Sequence, residues 1–259
     1  MSVAVIAITR LGLAVARKVS EGMGGDLFVP KEIQVAGNAG LNCYNTTTKE
    51  LVARIWNRYD SFVFVMALGI VNRIIKDHIQ DKRDDPAVVV VDEMGRYAIS
   101  ALSGHEGGAN RLAEKVALVC GGDFVVTTGS EAARTLIVGM GCRRGVSADH
   151  LEETLIKGLG RIGRELNEVR LIASVEDKRD EKGLLELSER LNVPLKFIPK
   201  SLIKTVQENF TESELVKNTL GVGSVAEPCA MLGGFRCHLL LPKTKTKVAT
   251  IAIAEERFL

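Results

Sequence analysis

Apolar residues in this chain fall into short unbroken runs, separated by stretches with helical spacing. Residues 2–8, 61–66 and 87–91 are dominated by Val, Ile, Ala and Phe without polar alternation. Strands buried on both faces read this way. Residues 9–21 carry Leu11, Val15 and Val19 at helical spacing and are stopped by Gly22, Gly24 and Gly25. A short strand at 27–29 ends at Pro30. Thr47 and Glu50 match a capping box ahead of Leu51, Ile55 and Trp56, which predicts a helix to Tyr59. A helix-like stretch follows 61–66 and reaches His78, which reads as a helix-end residue. After 87–91 the chain turns back through 92–96 into 97–101. A helix over 108–120 is stopped by Gly121 and Gly122, and 124–128 closes the half as a strand.

The second half repeats the alternation. Strands are expected at 136–140, 169–173 and 194–198, and helices at 148–158 and 182–191. Further helices start at Ser201 and surround Ala230 and Met231. Residues 239–241 and 248–254 read as a hairpin around 243–247. Strands alternating with helices predict two α/β domains, each a mostly parallel sheet flanked by helices. The boundary is set by the polar connection near Glu131, giving domains at 1–130 and 131–259.

Composition narrows the function classes. The chain has 259 residues, 46% of them hydrophobic, enough for a substantial core. A net charge of +2 with 5% aromatic residues gives no reason to expect nucleic acid as a partner. The five cysteines are an odd set without C-x-x-C spacing, which suits reduced thiols in a cytoplasm. The apolar start lacks the features of a signal peptide, and no run is long enough for a membrane span.

Three glycine-rich turns carry candidate chemistry. Residues 100–114 place Ser103, His105 and Glu106 among Gly104, Gly107 and Gly108, between a strand and a helix. Unpaired amides at a helix start favour anions, and histidine is the side-chain type that titrates near neutral pH. The same turn also reads as plain helix capping. In α/β sheets ligands bind beyond the carboxyl ends of strands. The turns at 67–70 and 103–108 are therefore expected to share an edge.

Residues 139–145 read Gly-Met-Gly-Cys-Arg-Arg-Gly. The third glycine of a dinucleotide fingerprint would fall on Arg144, so that reading fails. Arg143 and Arg144 before a helix capped by Ser147 suit a carboxylate or phosphate; a solvent-facing turn is the alternative. Residues 221–228 place Ser224 and Glu227 near the head of a short helix, where Glu227 can also simply satisfy its own helix amides. The charged turn 81–86, with Arg83, reads as a solvated loop.

The run from 81 to 110 contains Val-Val-Val-Val-Asp-Glu-Met-Gly-Arg-Tyr-Ala-Ile-Ser-Ala-Leu-Ser-Gly-His-Glu-Gly-Gly-Ala-Asn. It strongly resembles the cobalt-precorrin-5A hydrolases, the cobalamin biosynthesis protein G family. Gly-Met-Gly-Cys-Arg-Arg-Gly at 139–145 and Gly-Val-Gly-Ser-Val-Ala-Glu at 221–227 resemble that family's C-terminal domain. The resemblance covers most of the chain from Ser61, with the motifs in the family's order. Many members carry a middle segment that this compact chain lacks, since only 129–136 joins the two parts.

The resemblance implies an enzyme of the anaerobic, cobalt-early route to cobalamin. Such enzymes open the ring A δ-lactone of cobalt-precorrin-5A and release acetaldehyde, giving cobalt-precorrin-5B. The partner is a small-molecule tetrapyrrole, with no nucleic acid and no membrane, in a cytoplasmic protein whose oligomeric state stays open. Cobalt travels with the substrate, and no protein-bound metal or organic cofactor is implied. Beside that family reading, Arg83, Arg96, Arg143 and Arg144 can meet the macrocycle's carboxylates. His105 is the first choice as general base and Glu106 the second, with Ser103 as an alternative nucleophile. The amides of Gly107 and Gly108, or those of the turn at 221–224, can receive an oxyanion. Gly104, Asn110, Gly141, Ser224 and Glu227 complete the expected substrate-binding set. A non-catalytic protein that binds corrin intermediates is the competing reading.

Overall fold

The computed structural model describes residues 2–33, 40–81, 83–206, 210 and 223–257. The chain divides into two compact units, Met1–Thr128 and Gly129–Leu259.

The first unit is built on β1 (Val3–Ala7), β4 (Ser61–Val65) and β5 (Ala87–Val91), each buried at every position. Around them lie β2 (Asp26–Pro30), β3 (Leu41–Tyr44), β6 (Tyr97–Leu102) and β7 (Asp123–Val125). The seven-stranded order is β3-β2-β1-β4-β5-β6-β7. All neighbours pair in parallel except β5 and β6. Side chains alternate across the sheet, as a strand requires. Val63 and Val65 join Leu13, Ala16 and Val19 of α1 (Arg10–Met23) and Leu112, Ala113 and Val116 of α4 (Ala109–Cys120). Phe62 and Phe64 point to the other face. There they meet α2 (Thr48–Ile55), α3 (Leu68–Ile75) and Trp56. His78 packs on Trp56, ring centroids 5.6 Å apart. Thr9 caps α1 by accepting from the Gly12 amide at 3.0 Å, and the Thr47–Glu50 capping box is present.

The second unit opens with α5 (Gly129–Ala132). Its five-stranded sheet has the order β10-β9-β8-β12-β11. Here β8 (Leu136–Cys142), β9 (Val169–Val175) and β10 (Leu195–Ile198) are parallel. β12 (Ala249–Glu256) runs antiparallel to both β8 and β11 (Cys237–Lys245). This sheet is therefore evenly mixed rather than mostly parallel. Lys243 and Lys245 belong to β11, so the hairpin turn is tighter than 243–247, and Thr246 closes it on Ala249.

The helices of this unit are α6 (Ala148–Arg161), α7 (Lys182–Leu191), α8 (Lys200–Val206) and α9 (Ala226–Gly233). Ser147 sits at the N-cap of α6 but does not cap it; its hydroxyl meets His150 Nδ1 at 2.8 Å instead. On one face of β12, Ile251 and Ile253 pack against α6 at Gly158. On the other, Ala252 and Ala254 cluster with Ala226 and Ala230 of α9. Small residues there let α9 lie almost on the sheet backbone. A Cβ built on Gly139 of β8 would stand 1.8 Å from the Ala226 carbonyl oxygen and 2.6 Å from the Ala230 nitrogen.

Gly139→Ala is therefore expected to destabilise the protein by more than about 3 kcal/mol, since backbone on both sides must move. Gly160→Ala, where an added Cβ meets nothing within 4 Å, should be neutral or stabilising by up to about 1 kcal/mol. Urea unfolding of both variants checks the contrast. Equal stabilities would mean that α9 does not rest on the β8 backbone.

Candidate functional site

β6 runs antiparallel to β5, with Val91 opposite Ala98 and Val88 opposite Leu102. The loop after β6 therefore lies at the amino end of β5. The turn at 67–70 follows β4, which is parallel to β5, and lies at the carboxyl end. The expected shared edge is thus wrong: a strand entered through a hairpin delivers its carboxyl end to the opposite side of the sheet. The loop after β6 instead meets the 81–86 turn that leads into β5. Arg83 Nε stands 3.8 Å from Glu106 Oε2 there. Arg96 is at the other end of β6, about 20 Å away along a six-residue strand. Its guanidinium is held by Asp92 at 2.8 Å, so it anchors the β5–β6 hairpin and does not join His105. Asp92 also accepts from the Arg96 and Tyr97 amides. Burial works to raise the Asp92 pKa, but Arg96 and these amides outweigh it and hold the carboxyl below its ordinary range.

The Ser103–Gly108 loop closes on itself. The Ala109 amide donates to the Ser103 carbonyl at 3.1 Å, and the Asn110 amide to the Gly104 carbonyl at 2.9 Å. Two amides at the head of α4 are thereby used internally, which removes them as anion donors. Gly107 lies directly against Ser103, where an added Cβ would be 2.4 Å from the serine Cβ. Ser103 itself adopts φ +56°, and its buried hydroxyl has no hydrogen-bond partner among the described residues. Asn110 is buried and fully engaged. Its Oδ1 accepts from Ser100 at 2.8 Å, and its Nδ2 donates to Thr128 at 2.9 Å. It braces the loop from beneath, with Gly104 packed on its side chain. His105 and Glu106 stand exposed at the tip, next to Gly107 and the N-cap Gly108.

In the second unit, the loop after β8 is clamped from below. The Gly145 amide donates to Glu181 Oε1 at 2.8 Å. Glu181 Oε2 in turn accepts from Lys178 Nζ at 2.9 Å, both side chains buried. Arg144 bonds Asp180 at 3.0 Å and the Asp177 carbonyl at 3.3 Å. Its hydrogen bond to Asp180 raises the Arg144 pKa further and lowers that of Asp180. Arg143 beside it is exposed, and its guanidinium has no partner among the described residues. The two arginines thus separate into one structural and one available cation. Burial pushes the Cys142 thiol up to about 11, so it is a poor nucleophile at neutral pH.

The head of α9 reaches the same carboxyl end of β8. A Cβ on Gly141 would meet Thr250 Oγ1 at 2.7 Å and the Val225 side chain at 3.6 Å. Gly141, Arg143, Ser224 and Glu227 are therefore brought to one end of this sheet; Gly221 and Val222 lie outside the described residues. Glu227 is 6% exposed and Ser224 1%. Glu227 Oε1 accepts from the Lys243 amide at 2.9 Å, whereas Glu227 Oε2 and Ser224 Oγ have no partner among the described residues. Sequence reasoning missed the Lys178–Glu181 pair. The only signal for it was a Lys and a Glu three residues apart in a polar stretch.

Two family profiles match the chain in order. "Cobalamin synthesis G N-terminal" covers residues 50–131 and "Cobalamin synthesis G C-terminus" covers 136–254. A cobalt-precorrin-5A hydrolase from Priestia megaterium is 23% identical over 352 positions, spanning 97% of this chain and 94% of its own. That span exceeds the 259 residues here, so the relative carries segments without a counterpart. The Salmonella typhimurium protein of the same name is also 23% identical, over 89% of this chain and 91% of its own. A crystal structure of CobE, a protein from the cobalamin biosynthetic pathway, is 38% identical over 48% of this chain and 91% of its own, TM-score 0.45. No helix among the described residues is long and apolar enough to cross a membrane.

Lys178→Met should destabilise the protein by about 3–5 kcal/mol, because it strands a buried carboxylate. A second change, Glu181→Leu, should recover most of the loss. Urea unfolding of single and double variants reads this. A single variant within about 1 kcal/mol of the parent would show that the pair does not hold the loop.

Proposed function

Because the chain belongs to the cobalamin synthesis G family, we propose that it is a hydrolase of cobalamin biosynthesis acting on cobalt-precorrin-5A. The observation that carries this reading is the match of both family profiles, in order, over 50–131 and 136–254, with relatives named for that activity aligned along 97% and 89% of the chain. In the reaction, water adds to the carbonyl of the ring A δ-lactone and the acyl carbon–oxygen bond breaks. The two-carbon fragment that carried the lactone oxygen then leaves as acetaldehyde, giving cobalt-precorrin-5B. The cobalt ion is part of the substrate.

The residues supply what this chemistry asks for. A corrin precursor is an apolar macrocycle fringed with carboxylates. Arg83 and Arg143 are exposed cations suited to them, each charge-assisted contact worth about 1.5–3 kcal/mol. His105, exposed at the tip of its loop, is assigned as the base that takes a proton from the attacking water. Glu106 lies beside Arg83, with Oε2 3.8 Å from the Arg83 Nε, which assigns it to holding that cation. The amides of Gly107 and Gly108 are the donors assigned to the oxyanion.

Incubation of the purified protein with cobalt-precorrin-5A, with acetaldehyde trapped and the corrinoid followed by mass spectrometry, tests the proposal. Acetaldehyde and cobalt-precorrin-5B are expected, and His105→Gln should slow their formation by about 10²–10⁴-fold. A variant as fast as the parent would remove His105 from the chemistry. Tight corrinoid binding without any acetaldehyde would favour a carrier of corrin intermediates.

A further inference from the structure

The carboxylate of Glu227 is held in an unusual state. Its Oε1 is bonded to the Lys243 amide, and its Oε2 is buried without a donor among the described residues; the hydroxyl of Ser224, three residues earlier, is likewise buried and without a partner among them. Both belong to the head of α9, which is fixed against β8 by backbone contact at Gly139. Val225, the N-cap residue, makes no side-chain cap bond, and the Glu227 carboxylate is not spent on capping. A buried carboxylate oxygen without a donor is unfavourable, and such groups persist where a rigid frame holds them for a ligand.

The missing partner must be a hydrogen-bond donor. A lactone offers only acceptors, so the substrate of the reaction proposed above does not complete this site. Lactone opening changes that, because it frees an O–H on the two-carbon fragment. We propose that Glu227 is the base of the second half of the reaction, with Ser224 as its partner. The inference rests on the functional reading given above.

The step balances without a further reagent. The hydroxyl proton passes to Glu227 Oε2, and the O–H bonding pair becomes the second bond of the aldehyde carbonyl. The carbon–carbon bond to the macrocycle breaks and its electron pair stays on the macrocycle carbon. Glu227 returns the proton to that carbon, so hydrogen replaces the hydroxyethyl group and the carboxylate is restored. The Ser224 hydroxyl donates to the departing oxygen and orients it.

Glu227→Gln keeps an oxygen acceptor for the Lys243 amide while removing the base. With cobalt-precorrin-5A it should accumulate a ring-opened corrinoid, heavier than the substrate by one water, and release acetaldehyde about 10²–10⁴-fold more slowly than the parent. Ser224→Ala, the milder variant, should show the same intermediate with a smaller slowing and secures the test if Glu227→Gln folds poorly. Acetaldehyde release at the parental rate from both variants would overturn the inference. So would an intact lactone in Glu227→Gln, since the residue would then act in the first half. A parent protein that forms neither product removes the functional reading, and this inference with it. The two failures are thus told apart by the parent's own turnover.

Discussion

Backbone packed against backbone is the constraint from which the rest follows. In the second unit, α9 can approach β8 only because position 139 has no side chain; a methyl there would overlap the Ala226 carbonyl. That approach carries the first turn of α9 across the sheet until Glu227 meets the Lys243 amide of β11. In the first unit the same device acts over a shorter distance. Gly107 rests on Ser103, which lets the loop return to the head of α4 and keeps Ser103 in the left-handed region. Strained backbone and unpaired buried oxygens are unfavourable locally and persist only where the surroundings over-determine them. Both motif loops are built that way.

The charges divide along the same line between holding and being available. Lys178 and Glu181 form a buried pair whose remaining oxygen fixes the Gly145 amide, so the loop after β8 is a rigid platform. Arg144 is spent on Asp180 and the Asp177 carbonyl, and Arg96 on Asp92. Arg143 projects from the platform without a protein partner among the described residues. A carboxylated macrocycle would be met by the cation that is free, at low cost in broken contacts. Adjacent arginines in a sequence are thus not interchangeable once one of them is part of the scaffold.

Much of this organisation is legible in the chain, and the failures have physical causes. Strands covered on both faces, such as Val3–Ala7 and Ala87–Val91, write themselves as apolar runs. β3 went unseen because it is an edge strand of four residues with two exposed positions, Asn42 and Cys43. The turn at 92–96 reads as a reversal in the sequence, and the rule for parallel sheets does not hold for the antiparallel strand it introduces. Glycines at 139 and 141 read as a ligand-binding turn because a sequence does not show which helix will lie across them. Ser224 and Glu227 were visible as candidates. What a sequence does not show is that one carboxylate oxygen is satisfied from β11 and the other by no group among the described residues, since that depends on α9 and β11 meeting.

The chemical core of the account is that water attacks the lactone carbonyl. Turnover of cobalt-precorrin-5A in water enriched in oxygen-18, with mass analysis of the corrinoid product, tests this most directly. One heavy oxygen should enter the carboxylate freed from ring A. A product carboxylate that keeps only its original oxygens would mean that the bond on the other side of the lactone oxygen breaks, and would contradict the account.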